Sequence, residues 1–273
     1  MRYDAIIFDL DGVVYVGGQA CDGAPAGIAA AREAGIQVLF MTNNASRTPQ
    51  QVAEHLASMG VQAAEEEVLT SSQVGAQALA DYRDEGSVAE PLVLAVGGPG
   101  VGHALAAQGF DVLAAADVPE SGPERGIWAV LQGYGPEMRV TDLHEAGYAI
   151  NDGARWVATN DDATLPTSRG FAPGNGALVA AVAHGTGARP EVVGKPHRRA
   201  YDVALKRLDL APDRVLAVGD RLDTDILGAK RAHVCSALVL TGVNDRDDAV
   251  AADDDLTPDI IVEAIPDLAE HWS

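Results

Sequence analysis

Lysine is nearly absent from this chain, with only Lys195, Lys206 and Lys230 among 273 residues. Basic residues number 19 against 40 acidic ones, a formal net charge of −21. A surface so short of positive charge has no basic footprint for phosphate backbones, which excludes nucleic acid as a partner. Cysteine is equally scarce. Cys21 and Cys235 stand far apart and form neither a disulfide framework nor a metal-ligand spacing. A reduced, cytoplasmic protein is the simple expectation. No apolar run approaches the roughly 20 residues that span a bilayer, so no membrane partner is expected. Met1-Arg2-Tyr3-Asp4 leads straight into a strand-like run, with no signal-peptide pattern. No G-x-S-x-G elbow is present, which argues against a serine hydrolase. The glycine run from Gly97 to Gly102 misses the G-x-G-x-x-G fingerprint, because His103 stands where the third glycine belongs. It reads as a turn.

What is present is an alternation of short apolar runs with alanine-rich stretches, the pattern of an α/β protein with a parallel sheet. Strands are expected at Tyr3–Leu10, Ile36–Met41, Pro91–Val96, Trp128–Leu131, Trp156–Thr159, Arg214–Val218 and Ser236–Leu240. Helices are expected at Pro25–Ala34, Thr48–Met59, Ala177–His184, Arg199–Leu208 and Asp225–Ala232. Gly35 and Gly60 stop the first two. Asn160–Gly176, rich in Pro, Gly, Thr and Ser, reads as a loop. The middle of the chain looks like a second α/β unit inserted into the first. The expected division is a core over residues 1–80 and 187–273 and a cap over 81–186.

Four apolar runs end in polar residues: Asp9-Leu10-Asp11-Gly12, Thr42-Asn43-Asn44, Lys195-Pro196, and the stretch from Gly219 and Asp220 to Asp225. Open α/β sheets bind ligands beyond the carboxyl ends of their strands. If these runs share one sheet, several carboxylates, one ammonium and a hydroxyl–amide pair converge. Hard carboxylate oxygens suit Mg²⁺. A carboxylate beside the metal can attack phosphorus and become an aspartyl-phosphate. Lysine supplies a point charge for phosphoryl oxygens. Phosphoryl transfer asks the protein mainly for positioning and charge stabilisation. Each piece has a plain alternative when taken singly, such as a solvated turn or a helix cap.

Taken together, DLDGV at 9–13, TNN at 42–44, GKP at 194–196 and GDRLDTDI at 219–226 resemble the four motifs of the haloacid dehalogenase-like superfamily. Their order resembles the NagD-like, p-nitrophenyl-phosphatase-like branch, whose cap lies between the second and third motifs (the C2 type). The resemblance implies a Rossmann-like parallel-sheet core with an inserted α/β cap. It also implies an Mg²⁺-dependent phosphatase acting on small-molecule phosphate monoesters. By motif position, Asp9 would be nucleophile and metal ligand. Asp11 would be the general acid, with its backbone carbonyl on the metal. Thr42, Asn43 and Lys195 would bind phosphate, while Asp220 and Asp225 would serve the metal. Asn160, Asp161 and Asp162 would select substrate, and a homodimer is implied at family level. The alternatives are a phosphotransferase such as a phosphomutase, or a non-catalytic binding protein on the same fold. The acidic, lysine-poor composition also resembles that of proteins from salt-accumulating halophiles.

Overall fold

The computed structural model describes residues 2–167 and 169–272. The chain forms two compact units: residues 1–42, 49–69 and 195–273 make the first, and 43–48 and 70–194 the second. Among the described residues no helix is long and apolar enough to cross a membrane.

The first unit holds a six-stranded sheet in the order Val68–Thr70, Gln37–Thr42, Ala5–Phe8, Val215–Gly219, Cys235–Val239, Ile260–Val262. In chain sequence this is the doubly wound order 3-2-1-4-5-6. Ala5–Phe8 runs parallel to both neighbours, and the pairings out to Ile260–Val262 are parallel as well. A parallel sheet is covered on both faces, so its strands are continuous apolar runs rather than alternating ones. Ala5–Phe8 and Val215–Gly219 are buried at every position. Ile6, Phe8, Val38 and Phe40 pack with Ile28 of helix Ala24–Glu33, Leu56 of helix Pro49–Ser58 and Trp272. The strand order reverses between Ala5–Phe8 and Val215–Gly219. The crevice beyond the carboxyl ends of those two strands is the position where such sheets hold ligands.

The second unit has its own five-stranded parallel sheet: Asp111–Ala114, Leu92–Val96, Ala129–Gln132, Arg155–Ala158, Glu191–Val192. Its chain order, 2-1-3-4-5, places its own reversal between Leu92–Val96 and Ala129–Gln132. That crevice is filled by the chain itself. Gly100 N donates to the Ser46 carbonyl at 3.0 Å. A methyl group at Gly98 or Gly100 would run into the backbone of Ser46 or Arg47. The glycine run read as a turn thus opens helix Pro99–Ala107 and admits the crossing segment 43–48.

The unit boundaries lie at 69/70 and 194/195 rather than at the expected 80/81 and 186/187. Helix Ser71–Gly86 packs with the second unit, where Gly75 meets Leu131 and Ser72 Oγ donates to the Ala45 carbonyl at 2.8 Å. Glu191–Val192 pairs with Arg155–Ala158 and so belongs to the second sheet. The stretch expected as a loop over Asn160–Gly176 contains an antiparallel hairpin, Thr164–Thr167 with Gly170–Pro173. The expected helix Asp225–Ala232 is a π-helical turn, Leu222–Ile226, followed by helix Leu227–Arg231. Tyr15–Val16 and Gln19–Ala20 add a short hairpin after the first strand.

Candidate active site

Asp9 is the first residue past strand Ala5–Phe8, and Asp220 the first past Val215–Gly219, so both stand at the reversal point of the first sheet. Asp225 comes back to the same place because the π-helical turn follows at once; such turns recur at functional sites. Single carboxylate oxygens of Asp9, Asp220 and Asp225 lie within 4.8 Å of one another. Lys195 reaches into this cluster from the loop before helix Arg198–Leu208. Its Nζ donates to Asp9 Oδ1 at 2.6 Å and to Asp225 Oδ1 at 2.6 Å. The Lys195–Pro196 peptide is cis.

Backbone and glycines aim these carboxylates. Val243 N donates to Asp220 Oδ2 at 2.8 Å, and a methyl group at Gly12 or Gly242 would strike that carboxylate. Asp220 Oδ1 is buried and has no hydrogen-bond partner. Arg221 N donates to Asp225 Oδ2 at 3.2 Å, and the buried Tyr201 hydroxyl donates to the Asp225 carbonyl at 2.9 Å. Thr241 Oγ1 donates to the Gly12 carbonyl at 2.6 Å, tying the turn after Asp11 to the strand-end loop that holds Asp220.

The electrostatics follow from burial. Burial pushes the Asp9 carboxyl well above the usual range, the Asp225 and Asp220 charges push the same way, and Lys195 opposes them. Asp220 is pushed up to about 7, by burial first and then by Asp225, against the Val243 N–H and Lys195. Burial works to lower the Lys195 pKa, yet the Asp225 and Asp9 carboxylates hold it above the usual lysine range. One ammonium among three carboxylates, Asp220 and Asp225 buried and Asp9 partly so, leaves an excess of negative charge. Together with the orphaned Asp220 oxygen, that excess fits a divalent cation with a preference for oxygen ligands.

The structure divides the remaining predicted residues. Thr42 ends strand Gln37–Thr42, the neighbour of the Asp9 strand in the sheet, and is buried. Asp11 is exposed, and its Oδ2 accepts from the Tyr15 hydroxyl at 3.3 Å. Asn43, Asn160 and Asp162 come together in the second unit. Asn160 Nδ2 donates to the Asn43 carbonyl at 2.8 Å, and Asn43 Nδ2 donates to Asp162 Oδ2 at 3.1 Å. Asn160 Oδ1 accepts from Asp162 N at 3.2 Å, and Asn175 Nδ2 donates to the Asn160 carbonyl at 2.7 Å. Asn160 is buried and organises the turn, whereas Asp161 is exposed. Asp223 is also exposed and pairs with Arg221. Sequence reasoning passed over Tyr15, Tyr201 and Val243. Tyr15 offered a faint signal, a tyrosine four residues past an acidic pair; Tyr201 and Val243 act by contacts that only the folded chain creates.

Known proteins resemble this chain in sequence and in fold. Two family profiles match, a haloacid dehalogenase-like hydrolase over residues 6–111 and a HAD-hydrolase-like segment over 192–268. A D-glycerol 3-phosphate phosphatase of Mycobacterium tuberculosis is 43% identical over 253 residues, 92% of this chain and 67% of that protein. An acid sugar phosphatase of Staphylococcus saprophyticus is 34% identical over 90% of both chains. The crystal structure of a glycerol phosphate phosphatase from Mycobacterium tuberculosis in complex with magnesium superposes with a TM-score of 0.87 at 41% identity, covering 98% of this chain and 76% of that one. A mutant thermostable NPPase from Geobacillus stearothermophilus gives 0.84 at 32% identity, over 97% and 98%. The chain belongs to the haloacid dehalogenase-like hydrolases, as its four strand-end motifs imply.

Proposed function

We propose that Asp9 is the nucleophile of an Mg²⁺-dependent phosphatase acting on small phosphate monoesters. The observation that carries this reading is the Lys195-bridged pair Asp9 and Asp225 beside Asp220, whose buried Oδ1 lacks a partner. Asp9, Asp220 and Asp225 would hold the metal, together with the Asp11 backbone carbonyl. When bound, Mg²⁺ neutralises charge on the phosphoryl oxygens.

The chain's own residues divide the rest of the work. Asp9 attacks phosphorus, and the P–O bond to the alcohol breaks. Asp11 gives its proton to the departing oxygen and then takes one from the water that hydrolyses the phospho-aspartate. Lys195 opposes the upward push of burial on the Asp9 carboxyl, and with Thr42 and Asn43 it holds the phosphoryl group. The second unit selects substrate: Asp161 and Asp162 read the ester's alcohol, and Asn160 sets the turn that carries them. Asp161→Ala should then reorder preference across a panel of sugar, polyol and nucleoside phosphates; an unchanged order would remove it from this role. The two free thiols support a cytoplasmic setting. A homodimer, the assembly implied at family level, is testable by sedimentation.

Hydrolysis of p-nitrophenyl phosphate by wild type and Asp9→Asn, each with and without Mg²⁺, tests the chemistry. Turnover should require both the metal and Asp9, with a loss of at least about a thousandfold in the variant, because the covalent route is closed. Substantial turnover by Asp9→Asn would overturn the assignment. Release of inorganic phosphate rather than its retention on a second substrate separates a phosphatase from a phosphomutase.

A further inference from the structure

Asp11 is exposed at the rim of the site, where an aspartate side chain ordinarily samples several rotamers. Here the chain folds back on it. Gly12 N donates to the Tyr15 carbonyl at 2.8 Å, and Tyr15 N donates to the Leu10 carbonyl at 3.1 Å. The Tyr15 side chain returns as well, its hydroxyl donating to Asp11 Oδ2 at 3.3 Å. The ring that carries this hydroxyl is itself fixed. It is 6% exposed and lies edge-on to the His55 imidazole, with centroids 5.2 Å apart and planes at 75°. His55 belongs to helix Pro49–Ser58 of the same unit. A packed aromatic with a polar tip thus spans from a helix to one oxygen of the carboxylate.

We propose that Tyr15 is a positioning residue for the general acid, its hydroxyl fixing the orientation of the Asp11 side chain that carries the transferable proton. During the first step that proton passes to the ester oxygen as the bond to phosphorus breaks and the Asp9–phosphorus bond forms. Orientation matters most when the leaving oxygen needs the proton. An alkoxide does; p-nitrophenolate departs as a stable anion and needs it little. His55 supports the ring.

This inference rests on Asp11 being the acid, and one experiment separates the two. We would measure kcat/KM for glycerol 3-phosphate and for p-nitrophenyl phosphate with wild type, Tyr15→Phe, Asp11→Asn and the double variant. This constant covers steps only through departure of the alcohol, so the later hydrolysis of the phospho-aspartate does not enter it. Tyr15→Phe should slow the alkyl ester about tenfold and the aryl ester less than about twofold, a fraction of what removal of a general acid costs. In the Asp11→Asn background the same change should add no further selective loss, because the residue it positions is gone. An equal fall for both esters would mark Tyr15 as merely structural and overturn the proposal. So would a selective loss that persists without Asp11. If Asp11→Asn itself depresses both esters alike, the acid assignment falls, and the role of Tyr15 falls with it. Matching thermal melts of Tyr15→Phe and wild type would exclude misfolding as the cause.

Discussion

A carboxylate becomes a metal ligand or a nucleophile through what surrounds it, and around Asp220 the surroundings are largely glycine. Gly12 sits at φ 83°, a left-handed conformation that favours glycine, and its missing side chain leaves the space that the Asp220 carboxylate occupies. Gly242 does the same from another side. With Oδ2 held by Val243 N–H, only Oδ1 remains to face a cation. Gly12→Ala should therefore do two kinds of damage. It strains the backbone, and it pushes the carboxylate away from Asp9 and Asp225. The expected outcome is a Mg²⁺ requirement raised at least about tenfold with a lowered kcat, as outer-shell changes at metal sites produce. A Mg²⁺ titration of p-nitrophenyl phosphate hydrolysis measures it, and a variant with the wild-type metal dependence would show that the cradle is not needed. Gly242→Ala, which leaves Gly12 untouched, should shift the titration in the same direction.

At the scale of elements, legibility followed side-chain size. Strands such as Ala5–Phe8 and Val215–Gly219 are visible in sequence because large or β-branched residues fill them, and the polar residues just beyond are visible by contrast. Helix Ser71–Gly86 was passed over because its buried face is built from Ser71, Ser72, Gly75, Ala76 and Ala78, with only Val74 and Leu79 to mark a period. Small residues allow close packing, as Gly75 against Leu131 shows, and write no amphipathic pattern. The hairpin Thr164–Thr167 with Gly170–Pro173 reads as a loop in sequence because Pro166 and Pro173 obscure its strands. Strand order and the return of Tyr15 to Asp11 depend on the path of the chain and have no local signature. Yet the passed-over helix does carry one: Thr70 and Gln73 form a capping box. Gln73 N donates to Thr70 Oγ1 at 3.3 Å, and Thr70 N donates to Gln73 Oε1 at 2.9 Å. Thr70 is buried, so water cannot replace the lost partner. Thr70→Ala should cost about 1 kcal/mol, the usual worth of an N-cap, read from urea unfolding. A loss near zero would mean that the helix start is held by packing alone.

For the whole molecule the dominant quantity is charge. Acidic residues outnumber basic ones by 40 to 19, and the ion pairs that offset them, such as Arg246 with Glu263 or Arg198 with Asp202, are largely exposed. Exposed pairs contribute only about 0–1 kcal/mol each. What remains is mutual repulsion of a net −21, felt more in the compact chain than in the expanded one. Salt acts on that term directly. The screening length falls from about 10 Å at 0.1 M to about 3 Å at 1 M. The melting temperature should therefore rise by several degrees between 0.1 and 1 M KCl. Screening is then nearly exhausted, so the rise should flatten at higher salt. Exclusion of a strongly hydrated salt such as sulfate from the surface gives a different curve, one that keeps climbing with concentration. Comparing KCl with potassium sulfate at equal ionic strength distinguishes the two. Coincident curves that flatten near 1 M identify screening of this acidic surface as the cause. A melting temperature indifferent to KCl would mean that the charges are already spaced widely enough for repulsion to cost the fold nothing measurable, and the scarcity of lysine would need another explanation.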